Sequence, residues 1–162
     1  MKFSARFISL SVVCLAMSAM LVSTAFAQTD EQVGVWKLNV AKSKYSVGAL
    51  PKSGTTTIEA AGMGTKVSVD QQLADGTMRQ WSFTSSYDGK DSTITGNNPD
   101  ADSVARRRVN PITIQTVATK NGKVTTTQRS AVSKDGLSRI VTTTGTNAAG
   151  QKVNNMAFYD KQ

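Results

Sequence analysis

The chain has 162 residues, a single cysteine, no histidine and a formal charge of +8. Without histidine there is no Ser-His or Cys-His nucleophile pair, and the usual zinc and haem ligand sets are missing. The length suits one domain around one core.

The N-terminus carries Lys2 and Arg6, then an apolar run with small residues over 7–22 (FISLSVVCLAMSAMLV), then Ala25-Phe26-Ala27. A short basic region, an apolar stretch and an A-x-A site form the pattern of a cleavable signal peptide. Residues 1–27 are therefore expected to be removed on export, leaving a single domain over 28–162. Cys14 sits inside the apolar run, and Ser11-Val12-Val13 before it does not make a lipoprotein site. It leaves with the signal, so the domain has neither disulfide nor thiol chemistry. Two cations leave as well, and the domain stays basic. Its lysines are scattered among acids, which reads as solubility rather than as a nucleic-acid stripe. A periplasmic or secreted protein, monomeric and without a stable membrane anchor after cleavage, is the expectation.

Beyond Ala27 there are 19 threonines and 13 valines against four leucines. Stiff β-branched side chains suit a pleated sheet better than a helix. Turn signals recur at hairpin spacing: Gly62-Met63-Gly64, Asp75-Gly76, Asp88-Gly89, Asn97-Asn98-Pro99, Asn110-Pro111, Asn121-Gly122, Asp135-Gly136 and the segment 147–150. Between them lie ten predicted strands, at 34–39, 54–60, 65–73, 77–86, 91–96, 103–109, 112–119, 123–132, 137–146 and 152–160. The longest connection follows the first strand and has room for a short helix near 40–46. Alternation places Trp36 with Leu38 on one face. It groups Val67, Val69, Gln71 and Leu73, and likewise Arg79, Trp81, Phe83, Ser85 and Tyr87. Many inward candidates are Thr, Ser or Gln. A sandwich must fill its centre with large apolar groups, whereas a closed barrel keeps polar residues around water or a ligand and has no exposed edges. The predicted fold is all-β, an antiparallel up-and-down meander closed into a barrel of about 8–10 strands.

The opening Val33-Gly34-Val35-Trp36-Lys37-Leu38 resembles the G-x-W start of lipocalins and fatty-acid-binding proteins, the calycins. The closing Ala157-Phe158-Tyr159-Asp160-Lys161 is similar to the last strand of fatty-acid-binding proteins. With the meander between them, the resemblance spans nearly all of the domain, and it extends to lipocalin-like exported bacterial proteins of unknown role. It implies a barrel whose lumen takes a small apolar or amphipathic molecule, with Trp36 closing one end as a structural residue. Fatty-acid-binding proteins place an Arg two residues before the Tyr of the last strand. Here that position is Ala157, so the usual carboxylate site is not implied.

The ligand-binding residues expected on these grounds are Arg79, Trp81, Phe83, Arg107 and Tyr159. Trp81 and Phe83 share the densest aromatic face, read either as pocket wall or as packed core. In Arg106-Arg107-Arg108, strand alternation sends Arg106 and Arg108 one way and Arg107 the other. Ala105 and Val109 flank Arg107 on its face and mark it as the inward residue, one that needs an anion. The alternative is a rim strand with all three solvated. The segment Asn97–Asp102 is rich in oxygen ligands but lacks the spacing of a calcium loop, and reads as a solvated turn. The Thr triplets at 55–57, 125–127 and 142–144 have no regular repeat and follow β propensity. With no Gly-rich phosphate loop and no G-x-S-x-G elbow, no catalytic group, metal or cofactor is implied. The reading that competes with ligand binding is a non-catalytic envelope interaction or structural protein whose barrel is filled by its own side chains.

Overall fold

The computed structural model describes residues 30–48 and 50–162. The expected signal peptide and its Ala27 boundary lie outside them. Among the described residues eleven strands follow one another: β1 (Gly34–Leu38), β2 (Ser53–Ala61), β3 (Gly64–Gln72), β4 (Met78–Ser85), β5 (Asp88–Thr93), β6 (Thr95–Gly96), β7 (Ser103–Asn110), β8 (Thr113–Lys120), β9 (Lys123–Val132), β10 (Ser138–Thr146) and β11 (Lys152–Lys161). All strand pairs are antiparallel, in the order β5-β7-β8-β9-β10-β11-β1-β2-β3-β4-β6. β5 and β6 are parts of one extended run interrupted at Ile94. Its first part pairs with β7 and its last with β4, which brings the two ends of the sheet together. The result is a nearly closed, up-and-down β-barrel, consistent with a calycin-like fold. The seam lies between β4 and β5, which are joined by a tight turn yet share no ladder.

All ten predicted spans fall on strands, and the meander is as expected. Two local details differ. The connection after β1 contains only a single 3-10 turn, Val40–Lys42, capped by Asn39 Oδ1 accepting from the Lys42 N–H at 3.1 Å. The chain then runs beside β11, where Lys44 and Met156 exchange backbone hydrogen bonds. The turn assigned to Asp88-Gly89 lies earlier, at Ser86-Tyr87, with Tyr87 at φ 58°. A bulky residue seldom adopts that conformation. Here the Tyr87 hydroxyl is held by Asp30 and Thr65, so tertiary hydrogen bonds outweigh local turn preference.

Because the strands alternate in direction, the turns fall at two ends. The floor end carries the turns near 62, 87, 111 and 135 and the start of β1. The mouth carries those near 75, 98, 121 and 149 and the connection after β1. The main core sits at the floor: Trp36, Leu38, Ile58, Val67, Val132, Ala157 and Tyr159. Trp36 is fully buried and donates its indole N–H to the Gln32 carbonyl at 2.8 Å. Gln32, equally buried, donates to the Ile112 carbonyl at 3.0 Å and accepts from Ser130 Oγ at 2.9 Å. The segment before β1 thus plugs the floor, with its buried polar atoms paired as low-dielectric burial demands.

Candidate functional site

Above this floor the barrel holds a cavity of about 540 Å³. Strand alternation sets its lining, and the two sides differ in character. On β2, β3, β4 and β7 the inward residues are mainly apolar: Ile58, Val67, Val69, Trp81, Phe83 and Val104. On β8 to β11, Thr116, Thr126, Gln128, Thr143 and Asn155 present hydroxyl and amide groups, with Val141 and Val153 between them.

Of the expected ligand-binding residues, Arg79, Trp81, Phe83 and Tyr159 line this cavity together. Arg107 does not. It is exposed, opposes Asp88 across the β5–β7 pair, and lies beside Gly89 on the outer surface. The inward residue of the triplet is Arg106, which is 4% exposed. The apolar flanks of Arg107 do not mark an inward face, since Val109 faces solvent. The inner face of β7 is Val104 and Arg106, with Arg108 continuing it at the floor rim. A guanidinium is accommodated inside because aromatic faces and a hydroxyl meet it. Arg106 donates to Thr65 Oγ1 at 2.8 Å and lies 4.6 Å from the Tyr87 ring centroid and 5.6 Å from that of Phe83.

Thr65 Oγ1 lies 3.1 Å from the Tyr87 hydroxyl, which donates to Asp30 Oδ2 at 2.7 Å. Arg108 Nη2 reaches the same oxygen at 2.7 Å. Arg106 is thereby linked through two hydroxyls to a carboxylate. Burial lowers the Arg106 pKa, opposed mainly by Tyr87 and Asp30. Partial burial of Asp30 favours its neutral form, but the hydrogen bonds from Arg108, Tyr87 and the Gln32 N–H outweigh it and hold the carboxyl below its ordinary range. A lowered acid pKa contributes stability that is fully present above the ordinary value near 4 and is lost as pH falls through the lower folded value. Asp30→Asn is therefore expected to lower stability at neutral pH by about 1 kcal/mol, allowing for salt screening. It should also flatten the acid limb of a denaturation series below pH 4. An unchanged acid limb would show that the network contributes nothing.

Arg139, absent from the expected set, is the second buried cation. It stands on β10 directly opposite Tyr159 on β11. It is 4% exposed, and its guanidinium lies 4.7 Å from the Tyr159 ring and 5.0 Å from Trp36. Its Nε is buried without a hydrogen-bond partner. Desolvation pushes its pKa down to about 10, so it remains a cation at neutral pH. In sequence only its parity with Val141 and Thr143 pointed inward, and the apolar neighbour Ile140, which faces outward, obscured that parity. Among the described residues, the charged groups on the cavity wall are Arg79, Arg106 and Arg139 against one carboxylate, Asp100. Asp100 lies at the mouth, where Oδ1 accepts from the Ala148 N–H at 3.3 Å. Within the 97–102 turn Asn98 Oδ1 accepts from the Asp100 and Ala101 N–H groups, and Asp102 Oδ2 ties this turn to the next by accepting from the Asn121 N–H. Chemically, the lumen is suited to enclosing a small molecule and offering it positive charge at the floor. The chain matches no protein-family model, no curated protein and no solved structure.

Proposed function

We propose that the protein is an exported, calycin-like binding barrel that takes a small apolar or amphipathic molecule into its lumen. The observation that carries this reading is the cavity itself. At about 540 Å³ it falls in the size range of small-molecule pockets, and it combines an apolar wall with a few oriented polar groups. A barrel stabilised by its own side chains would fill that space, since protein interiors pack to crystal-like density. The same volume therefore weighs against the purely structural reading. The signal-like N-terminus supports a role outside the cytoplasm.

The test is binding of a neutral apolar dye, Nile red, to the natively folded protein. One dye should bind per chain, with its emission enhanced and shifted to the blue. Trp81 faces the cavity and is only half-buried. Trp81→Ala is therefore expected to weaken the dye by at least about tenfold while lowering the melting temperature far less than a core deletion does. The opposite pattern, large destabilisation with dye affinity unchanged, would make Trp81 packed core and remove it from the site. No dye binding to folded protein would count against the function as a whole.

A further inference from the structure

The chemistry of the occupant can be read from the two sides of the lumen and from the charge at its floor. The two arginines there differ. Arg106 is answered by Thr65, Tyr87 and, through them, Asp30. Arg139 has the aromatic faces of Trp36 and Tyr159 within 5.0 Å, while its Nε has no acceptor. Rings soften the burial of a cation but do not replace an anion, and a buried guanidinium is suited to gripping a carboxylate or similar oxyanion. Ala157, on the strand that carries Tyr159, leaves the space beside that ring small-sided, and Arg139 brings the positive charge from the neighbouring strand.

The walls add a second constraint. An acyl chain lying along the barrel would satisfy the β2–β4 side but leave Thr116, Thr126, Gln128 and Thr143 facing hydrocarbon. Polar groups desolvated without partners oppose binding. A molecule with one apolar face and one hydroxyl-bearing face meets both sides at once.

We propose that the lumen selects a facially amphipathic anion, its acid group at Arg139, its apolar face against β2–β4 and its hydroxylated face against β8–β10. This rests on the lumen-binding reading above. The closing experiment measures displacement of Nile red by three probes: cholate, a rigid carboxylate with its hydroxyls on one face; its methyl ester, which keeps the faces but not the charge; and laurate, which keeps the charge but not the faces. Cholate is expected to bind tightest, with the ester and laurate each at least about tenfold weaker. Arg139→Gln should bring cholate to the level of its ester and leave the ester unchanged. The pair Thr126→Val and Gln128→Leu should narrow the gap between cholate and laurate. Laurate equal to cholate would overturn the two-faced wall, and ester equal to cholate would overturn the anion anchor. Cholate binding unaltered in Arg139→Gln would overturn the assignment of the anchor. Should that variant fail to fold, the ester comparison on the unaltered chain and the wall variants decide the matter. If Nile red binds but no probe displaces it, this inference fails and the lumen reading stands. If nothing binds to folded protein, both fail.

Discussion

Trp36→Ala is expected to destabilise the domain by about 3–5 kcal/mol, the range for deleting a buried large aromatic side chain. In melting temperature this corresponds to a fall on the order of 10–20 °C for a domain of this size. Three losses combine. The side chain is fully buried in the floor core with Leu38, Ile58 and Tyr159, so its removal opens a cavity that a barrel held by ladders on both sides cannot collapse. The Gln32 carbonyl loses its indole donor. Arg139 and Lys161, at 5.0 and 5.1 Å from the ring, lose an aromatic face against which their charges rest. Trp36→Phe keeps a ring and gives up the hydrogen bond, and should lose roughly half as much. Denaturant unfolding with an unchanged m value is the appropriate measurement. A midpoint close to that of the unaltered chain would mean that the floor is not closed by Trp36.

Gly64→Ala is expected to lose about 3 kcal/mol or more, an unusual penalty for adding one methyl group. At the start of β3, the turn that follows β4 passes directly over Gly64. A Cβ there would fall on the Ser85 carbonyl oxygen and lie 2.6 Å from Ser86 Cα. The obstacle is backbone, and side-chain rotation cannot relieve it. Either β3 separates from β4 or the turn shifts, carrying Tyr87 away from Asp30 and Thr65. Gly62, two residues earlier, provides the comparison. It has φ 58° and nothing within 4 Å of a built Cβ, so Gly62→Ala should lose only about 1 kcal/mol of backbone preference. Equal losses in the two variants would show that the close approach at Gly64 relaxes freely.

That pair of glycines separates two kinds of information. In sequence both read as turn residues. Only Gly62 is one in the conformational sense, and the requirement at Gly64 comes from a segment more than twenty residues away. The same division holds through the barrel. Turn chemistry at Asn121-Gly122, Asp135-Gly136 and Asp75-Gly76, with β-branched runs between, was enough to place all ten strand spans and the meander. Those signals act on φ and ψ within a few residues, and the structure places positive φ at Asn121, Gly122, Gly76 and Gly136. The G-x-W opening likewise marks Trp36 as a structural residue, and Trp36 is fully buried in the floor. Arg79, Trp81 and Phe83 were legible as site residues because alternation along their strand put them on one aromatic-rich face, and Tyr159 through the resemblance of the last strand to that of fatty-acid-binding proteins. Tertiary structure alone decided which arginine of the 106–108 run points inward. It also decided where the seam falls and that Arg139 meets Tyr159. Strand parity becomes an inward or outward direction only through register with neighbouring strands, and irregularities near Asp88–Asp91 and Arg108–Asn110 interrupt that register. A buried cation is tolerated or excluded by the rings and hydroxyls that non-local strands bring to it, which no window along the chain contains.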